Sequence, residues 1–276
     1  VVSKMFSNGY IWLDTNIVLP LFAEDLVPED RRQFNNMIYA ASEAGLELHI
    51  THGVLEEIER HMNLSLSCAR HQNWADWEGA VPFLYSVYIQ TGRPARSFPS
   101  WIEKFRGDIR PEDDIADYLR EDYRVRVTSL TDEEKQAPED LRLAVQYAWQ
   151  SAHEERRQRS SAGSDALLAT RLANHDIENH LGVLQRRQSE RASPLGYSSW
   201  WLTLDRAAYE IAKDIRKQFS DISSPIMSPD FLVNYLTMGS IRMRVPWQME
   251  RLLPVFLELR MMESISPTLS SLKLHT

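Results

Sequence analysis

The sequence has one cysteine and no long apolar run. A single cysteine among 276 residues, Cys68, excludes a disulfide framework and a cysteine-type zinc site. No apolar stretch approaches the roughly 18 residues that a membrane-spanning helix needs. Residues 1–8 also lack the charged-then-apolar order that is typical of a signal peptide. These absences predict a protein of a reducing compartment, which we expect to be cytoplasmic and to have no membrane partner.

The sequence has fewer basic than acidic residues. Lys and Arg number 31 against 39 Asp and Glu, so the formal net charge is −8. Because phosphate binding favours basic proteins, this total argues mildly against a nucleic-acid partner. Acids gathered around a metal ion would distort the count, however. With 43% hydrophobic and 25% charged residues, the composition is that of a folded protein with a sizeable core.

Short apolar runs alternate with amphipathic segments, which predicts an α/β fold. The order of these segments favours a three-layer sandwich around a central parallel sheet of about four or five strands. Strand-like runs that end in an aspartate or precede a helix cap support this interpretation. The predicted strands lie at 10–13, 46–50, 199–203 and 225–227.

Two long intervals interrupt this pattern and are interpreted as insertions. Residues 70–160 have mostly helical periodicity, and residues 175–197 are polar and Arg-rich, as in a loop or a solvated helix. We therefore expect one domain over residues 8–238 with a large helical insertion and a smaller one. A helical extension over residues 239–276 follows, whose apolar stripe must pack on the body or on a partner.

Four acidic residues are expected at one rim of the sheet. Asp14 and Asp205 directly follow predicted strands, and open α/β sheets bind ligands at the carboxyl ends of their strands. Glu57 lies in the helix after the second strand, and Asp165 opens the helix before the strand that ends at Asp205. Clustered carboxylates repel one another unless a cation neutralises them. Oxygen ligands suit Mg²⁺ or Mn²⁺, ions that support phosphodiester hydrolysis.

Five segments, in order, resemble the motifs of the PIN (PilT N-terminus) nuclease family. They comprise an apolar strand followed by Asp-Thr-Asn, a helical Glu, an Asp before an alanine-rich helix, a Thr-x-Asp after a strand, and a final strand-to-helix turn. Each motif alone is weak, but their order and their positions at strand or helix edges strengthen the resemblance. The segments are 10–16, 50–58, 165–170, 202–205 and 228–232.

The resemblance implies a metal-dependent endoribonuclease that cleaves single-stranded RNA and leaves 5′-phosphate and 3′-hydroxyl ends. Mg²⁺ or Mn²⁺ would be the cofactor, and RNA is favoured over DNA by the resemblance alone. The implied catalytic and metal-binding set is Asp14, Glu57, Asp165 and Asp205, with Asn16 and Thr203 as the residues that orient it.

Simpler roles exist for several of these residues. Asp14 could merely cap the next helix, and Glu56 is the second choice if that helix is rotated. Asp176 and Glu178 are interpreted as exposed loop charges, one of which could supplement the metal site. Basic residues flank the third motif on both sides and would either guide phosphate or form a solvated face. They are Arg156, Arg157, Arg159, Arg186 and Arg187.

Two rival functions stay open at this stage. A phosphatase of the haloacid dehalogenase type also places an Asp after its first strand, but that chemistry requires a second Asp where this chain has Asn16. A catalytically silent scaffold would bind RNA or a protein partner without cutting. The insertion or the C-terminal helix would then provide a surface for a partner or for self-association.

Overall fold

A five-stranded, all-parallel sheet organises the chain. The computed structural model describes residues 9–71, 77, 80–159, 165–187 and 197–237. The strand order is β3-β2-β1-β4-β5, so β1 lies at the centre. This confirms the α/β class and the parallel sheet expected from the sequence. The strands are β1 (Tyr10–Leu13), β2 (Glu47–Ile50), β3 (Val125–Val127), β4 (Ser199–Leu202) and β5 (Ile226–Met227).

Helices connect the strands and follow the last one. Short 3-10 turns occur at Glu24–Leu26, Glu29–Arg31 and Ala95–Ser97. The α-helices are α1 (Thr15–Ala23), α2 (Gln33–Glu43), α3 (His52–Arg70), α4 (Phe83–Gln90), α5 (Phe98–Arg106), α6 (Pro111–Tyr123), α7 (Thr131–Lys135), α8 (Glu139–Arg159), α9 (Ala166–Arg186), α10 (Arg206–Gln218) and α11 (Pro229–Thr237).

Each face of the sheet carries its own hydrophobic core, because successive side chains along a strand point to opposite faces. Ile11 and Leu13 of β1 pack with α1 to α6 and α11, whereas Trp12 between them packs with α8, α9 and α10. Trp201 of β4 joins Trp12 on this second face. Helices therefore cover both faces, as in a helix–sheet–helix sandwich.

The pairing of β1 with β4 fixes the edge where ligands of such sheets bind. Leu13 pairs with Leu202, so Asp14 and Thr203 begin two neighbouring loops at the same end of the sheet. The Asp14 amide donates to the Leu202 carbonyl at 3.0 Å, which extends the pairing by one residue. The carboxyl ends of the two central strands thus lie side by side.

The interval 70–160 is not an insertion of helices alone. It contributes the edge strand β3, whose residues pair with β2 from Leu48↔Val125 to Ile50↔Val127. It also contributes α8, which packs on the second face of the sheet together with α9. The boundary predicted from the sequence is therefore wrong in part, because this interval completes the sheet and one helical layer.

The interval 175–197 is also not simply a polar insertion. Its first part, up to Arg186, continues α9 without a break, and most of that stretch is buried against the sheet and α8. The expected C-terminal extension over residues 239–276 lies outside the described residues. Across the part of the chain that the structure describes, no helix has both the length and the apolar character required to cross a membrane.

Gly53 lets α3 and α9 approach closely. A Cβ atom at position 53 would lie 2.5 Å from the His175 ring, far inside van der Waals contact. Asn179 strengthens the same contact, because its Nδ2 donates to Thr51 Oγ1 at the start of α3 at 3.4 Å. The same Nδ2 also donates to the His175 carbonyl within α9 at 3.0 Å. The first half of α3 and the middle of α9 are thereby held together beside the ligand-binding edge of the sheet.

Candidate active site

Asp14 lies at the centre of the candidate site, where β1 ends and α1 begins. Its Oδ1 accepts a hydrogen bond from the Thr15 amide at 2.7 Å, so it caps α1 as well as facing the site. The residue is 7% exposed. Burial first, and then repulsion from Glu57 and Asp205, raise the pKa of Asp14 to about 7. The capping role and the site role are therefore compatible in this residue.

Asn16 and Thr203 connect the loops after β1 and β4. Asn16 Nδ2 donates to Asp14 Oδ2 at 2.7 Å and to Thr203 Oγ1 at 3.0 Å. The Thr203 hydroxyl donates to Asp14 Oδ2, and it accepts from the Asp205 amide at 2.9 Å. The Leu204 amide donates to Asn16 Oδ1 at 2.9 Å. These bonds fix the orientation of Asp14 and the start of the Asp205 loop.

Glu57 approaches the site from α3. Its Oε2 accepts a hydrogen bond from Thr15 Oγ1 at 2.9 Å, and its Oε1 lies 3.6 Å from both Arg60 and His61. Burial on its own would raise the pKa of Glu57, but the nearby His61, the hydrogen bond from Thr15 and the positive charge of Arg60 lower it overall. Glu57 is therefore the ionised member that contributes to the repulsion on Asp14.

Asp205 follows β4 and caps α10, since its Oδ1 accepts from the Ala207 amide at 2.9 Å. Arg156 of α8 also reaches this carboxylate. Its Nη2 lies 2.7 Å from Oδ1 and 2.6 Å from Oδ2 of Asp205. Arg156 belongs to the interval 70–160, which was expected to be an insertion. That interval therefore contributes a residue to the site.

Asp176, in the middle of α9, is the further acid of the site. Its Oδ2 lies 2.6 Å from His153 Nε2 of α8. Burial raises the pKa of Asp176 well above its usual value, and repulsion from Asp14, Glu57 and Asp205 adds to the rise. The structure therefore brings Asp176 into electrostatic contact with three of the predicted acids.

Asp165 does not join them. It is exposed at the start of α9, where its Oδ1 accepts from the Leu167 amide at 2.9 Å. Asp176 lies eleven residues further along the same helix, a rise of roughly 16 Å. Asp165 caps the helix as expected, but the structure does not bring it together with Asp14, Glu57 and Asp205. Asp176, considered from the sequence only as a possible supplement, lies nearer to those acids in their electrostatics.

The basic residues separate into one site residue and four others. Arg187 is buried and donates to the carbonyls of Ser199 and Ser224 at 2.6 Å, which is a structural role. Arg186 forms an ion pair with Glu133 at 2.8 Å and lies over the Trp12 ring. Both side chains are therefore engaged by groups of the fold, and these contacts give no support to the predicted phosphate-guiding role. Arg157 and Arg159 pair with acids of their own helix, Glu154 and Glu155.

The other two acids considered from the sequence also have structural partners. Glu56 pairs with Arg171 at 2.7 Å, on the side of α3 that faces the start of α9. Glu178 accepts from the Leu130 amide at 2.8 Å and so holds the turn before α7. Glu178 is not an exposed loop charge, and neither residue is needed to complete the site.

The chemistry of the site fits a hard divalent ion, although its carboxylates are engaged by protein donors. All the acids offer oxygen. Burial first, and then repulsion between the acids, raises the pKa of Asp14 and of Asp176, and a cation would relieve that repulsion. Within the ranges the structure covers, no three His, Cys, Asp or Glu side chains are arranged as a metal-binding group. Arg156 instead provides the positive charge at Asp205.

Comparison with known proteins adds no relative. Neither a protein family, nor a curated protein, nor a solved structure matches this chain. The resemblance to PIN nucleases thus rests on the sequence motifs alone. The class that the fold defines is an α/β protein with a parallel sheet and an acidic site at the carboxyl ends of its central strands.

Proposed function

We propose that this chain is a divergent PIN-like nuclease, a metal-dependent phosphodiesterase that cleaves single-stranded RNA. The observation that carries the proposal is the electrostatic coupling of Asp14 and Asp176 to Glu57 and Asp205 at the carboxyl ends of β1 and β4. Keeping like charges together in a partly buried site is unfavourable, and such arrangements are concentrated at functional sites. If these acids served the fold alone, nothing would require them to lie close enough to repel one another.

The residues divide into those that would hold the ion and those that orient them. Asp14, Asp176 and Asp205, with Glu57, would provide the oxygen ligands. A bound Mg²⁺ or Mn²⁺ would activate water and neutralise charge on the attacked phosphate. Asn16 and Thr203 would keep Asp14 in position, as second-shell groups do at metal sites. Thr15 would do the same for Glu57 through its 2.9 Å hydrogen bond.

The choice of RNA depends on the motif resemblance, since no contact in the site distinguishes a 2′-hydroxyl. Arg156 contacts an acid of the site and is 43% exposed in its side chain, so a phosphate could reach it. The net charge of −8 means that any attraction for RNA must come from local groups such as this one.

A second candidate is a scaffold that binds RNA or a protein partner without cutting it. The Arg156–Asp205 ion pair favours this alternative, because the guanidinium already neutralises an acid that catalysis would need. The buried and mutually repelling carboxylates of Asp14 and Asp176 favour the nuclease. The phosphatase alternative lacks the second Asp, since Asn16 occupies that position and is hydrogen-bonded to Asp14.

The deciding experiment is cleavage of labelled single-stranded RNA and DNA by the purified chain with Mn²⁺, Mg²⁺ or EDTA. Asp14→Asn and Asp205→Asn are the test variants, because Asn keeps the size and the helix-capping ability of Asp while removing the charge. Glu155→Gln, an exposed acid of α8, is the matched control.

We expect metal-dependent cutting of RNA that falls by about 100-fold or more in both Asp variants, in line with the loss of a transition-state contact, and is unchanged in the control. If the folded wild type does not cut, or if the Asp variants cut as well as the wild type, the catalytic proposal fails. Binding of uncut RNA by that inactive wild type would favour the scaffold.

A further inference from the structure

Arg156 forms an ion pair with Asp205, one of the acids of the cluster. Its guanidinium bonds to both oxygens of Asp205, at 2.7 and 2.6 Å, and crosses from α8 to the loop after β4. The two side chains are 43% and 19% exposed, so this ion pair lies at the rim and not on the open surface. Both carboxylate oxygens that face the cluster are thereby engaged.

The other arginines near the end of α8 behave differently. Arg157 bonds to Glu154 and Arg159 to Glu155, both within the same helix. Such pairs one turn apart are ordinary on exposed helix faces and contribute little. Among these three described arginines, Arg156 alone reaches across to another element, and it reaches an acid of the candidate site.

The surrounding charges reinforce this placement. Burial would lower the pKa of Arg156, but its hydrogen bond to Asp205 and the negative charges of Asp205, Asp176 and Asp14 raise it overall. Arg156 in turn opposes the rise in the pKa of Asp176. The guanidinium therefore interacts with three acids of the cluster at once, as a resident counter-ion would.

We infer that Arg156 is the internal counter-ion of the acid cluster and competes with the divalent ion for Asp205. The inference rests on the proposed function, in which Asp205 is a metal ligand. A divalent ion and a guanidinium cannot share this carboxylate closely, because two cations at a few ångströms repel strongly in a partly buried site. Metal binding thus displaces Arg156 and releases a guanidinium, the side chain best suited to phosphate, at the rim of the site.

The test is a titration of the full chain with Mn²⁺. Binding is monitored by calorimetry and by electron paramagnetic resonance of the free Mn²⁺. Neither readout requires catalysis. The variants are Arg156→Met, which keeps the length but removes the charge, and Arg157→Met, a neighbouring control that leaves the site unchanged. Asp205→Asn tests whether the measured ion binds at this cluster. Circular dichroism verifies folding, and Arg156→Lys is the fallback variant if Arg156→Met does not fold.

We expect Arg156→Met to bind Mn²⁺ about fivefold more tightly or better, at the lower end of typical coupling between two ligands. Arg157→Met should bind like the wild type, Asp205→Asn more weakly, and Arg156→Lys between the wild type and Arg156→Met. Binding by Arg156→Met alone, with no binding by the wild type, would also support the inference.

If the wild type binds Mn²⁺ and the folded Arg156 variants bind no more tightly, the counter-ion inference is overturned while the proposed function stands. If neither the wild type nor the Arg156 variants bind Mn²⁺, the metal-dependent function fails and the inference fails with it. The two failures are therefore distinguishable.

Discussion

His153 Nε2 lies 2.6 Å from Asp176 Oδ2, and His153 precedes Arg156 by three residues on α8. Residues three apart share one face of a helix, so α8 presents its histidine to Asp176 and its arginine to Asp205. Burial, and then the positive charge of Arg156, lower the pKa of His153 to about 4. A helix assigned to an insertion thus contributes two basic side chains to the candidate site.

The identity of the third acid can be decided by comparing Asp176→Asn with Asp165→Asn. We expect Asp176→Asn to reduce RNA cleavage in Mn²⁺ by about 100-fold or more, as loss of a group that stabilises the transition state typically does. Asp165→Asn should stay within about twofold, because an exposed N-cap residue can be Asn at little cost.

Initial rates with labelled RNA at saturating Mn²⁺ measure this difference. The opposite ranking, with Asp165→Asn inactive and Asp176→Asn active, would restore the assignment made from the sequence and reject Asp176.

His153 should act on the metal through Asp176 as a positioning residue. Loss of a group hydrogen-bonded to a metal ligand typically lowers metal affinity about 10-fold to 100-fold. We expect His153→Ala to weaken Mn²⁺ binding within that range, measured by calorimetry, so that more Mn²⁺ is needed for half-maximal cleavage. His71→Ala is the matched control, since His71 is exposed and bonds to the Ser67 carbonyl in the last turn of α3, which it follows. Unchanged Mn²⁺ affinity in folded His153→Ala would limit His153 to packing.

Two of the site acids could be located from the sequence because their positions follow from topology. Asp14 and Asp205 come directly after apolar runs, and parallel strands bring such positions to one edge. Asn16 and Thr203 lie beside them for the same reason. Thr51, whose side chain accepts from the Val54 amide, marks the start of the helix that carries Glu57.

Asp176 could not be located in the same way, because buried polar residues conceal the periodicity of α9. The segment around it contains Glu178, Asn179 and His180, which resembles a loop when only polarity is considered. In the fold these side chains are used internally: Glu178 bonds to the Leu130 amide and Asn179 bonds to Thr51. The helix could still be inferred from the spacing of Ile177, Leu181 and Leu184, which are buried on one side of it.

The edge strand β3 was hidden for a different reason. It has only three residues, and its middle residue, Arg126, is exposed and pairs with Glu47 at 3.3 Å. A run of this length carries no alternation that could be separated from the end of α6. Its pairing with β2 depends on long-range contacts that local patterns do not report.

The contribution of Asp14 to stability without metal should fall as the pH rises through neutrality. Asp14 has a pKa of about 7 in the folded chain against 3.8 for the ordinary carboxyl, so the folded state holds the extra proton between these values. This contribution is fully present below the lower value and is lost as pH rises through the higher one. Between pH 6 and pH 8 the loss is about 1.4 kcal/mol for this group.

Urea unfolding in EDTA at the two pH values measures the effect. Asp14→Asn should remove that part of the pH dependence, because Asn cannot ionise and still caps α1. Asp176 shifts in the same direction, whereas burial lowers the pKa of histidines such as His153 and His180 and gives a slope of the opposite sign in both proteins. The test is therefore the difference between the two proteins. An Asp14→Asn variant with the same pH dependence as the wild type would contradict the raised pKa of Asp14.

Arg187 should matter for stability and not for RNA binding. It is 4% exposed, donates to the Ser199 and Ser224 carbonyls at 2.6 Å, and stacks on Tyr197 and Trp200. Arg187→Met leaves buried carbonyls without donors, at about 1–3 kcal/mol each. We therefore expect a loss of about 3 kcal/mol in the free energy of unfolding, measured with urea, while RNA affinity of the folded protein is unchanged.

Arg159→Met is the matched control for this prediction. Its side chain is 78% exposed and pairs only weakly with Glu155 at 3.0 Å, so the variant should stay within about 0.5 kcal/mol of the wild type. RNA binding is followed by fluorescence anisotropy at a temperature where both variants are folded. An Arg187→Met variant as stable as the wild type but with weaker RNA binding would return Arg187 to the phosphate-guiding role, because its buried hydrogen bonds would then be unnecessary for the fold.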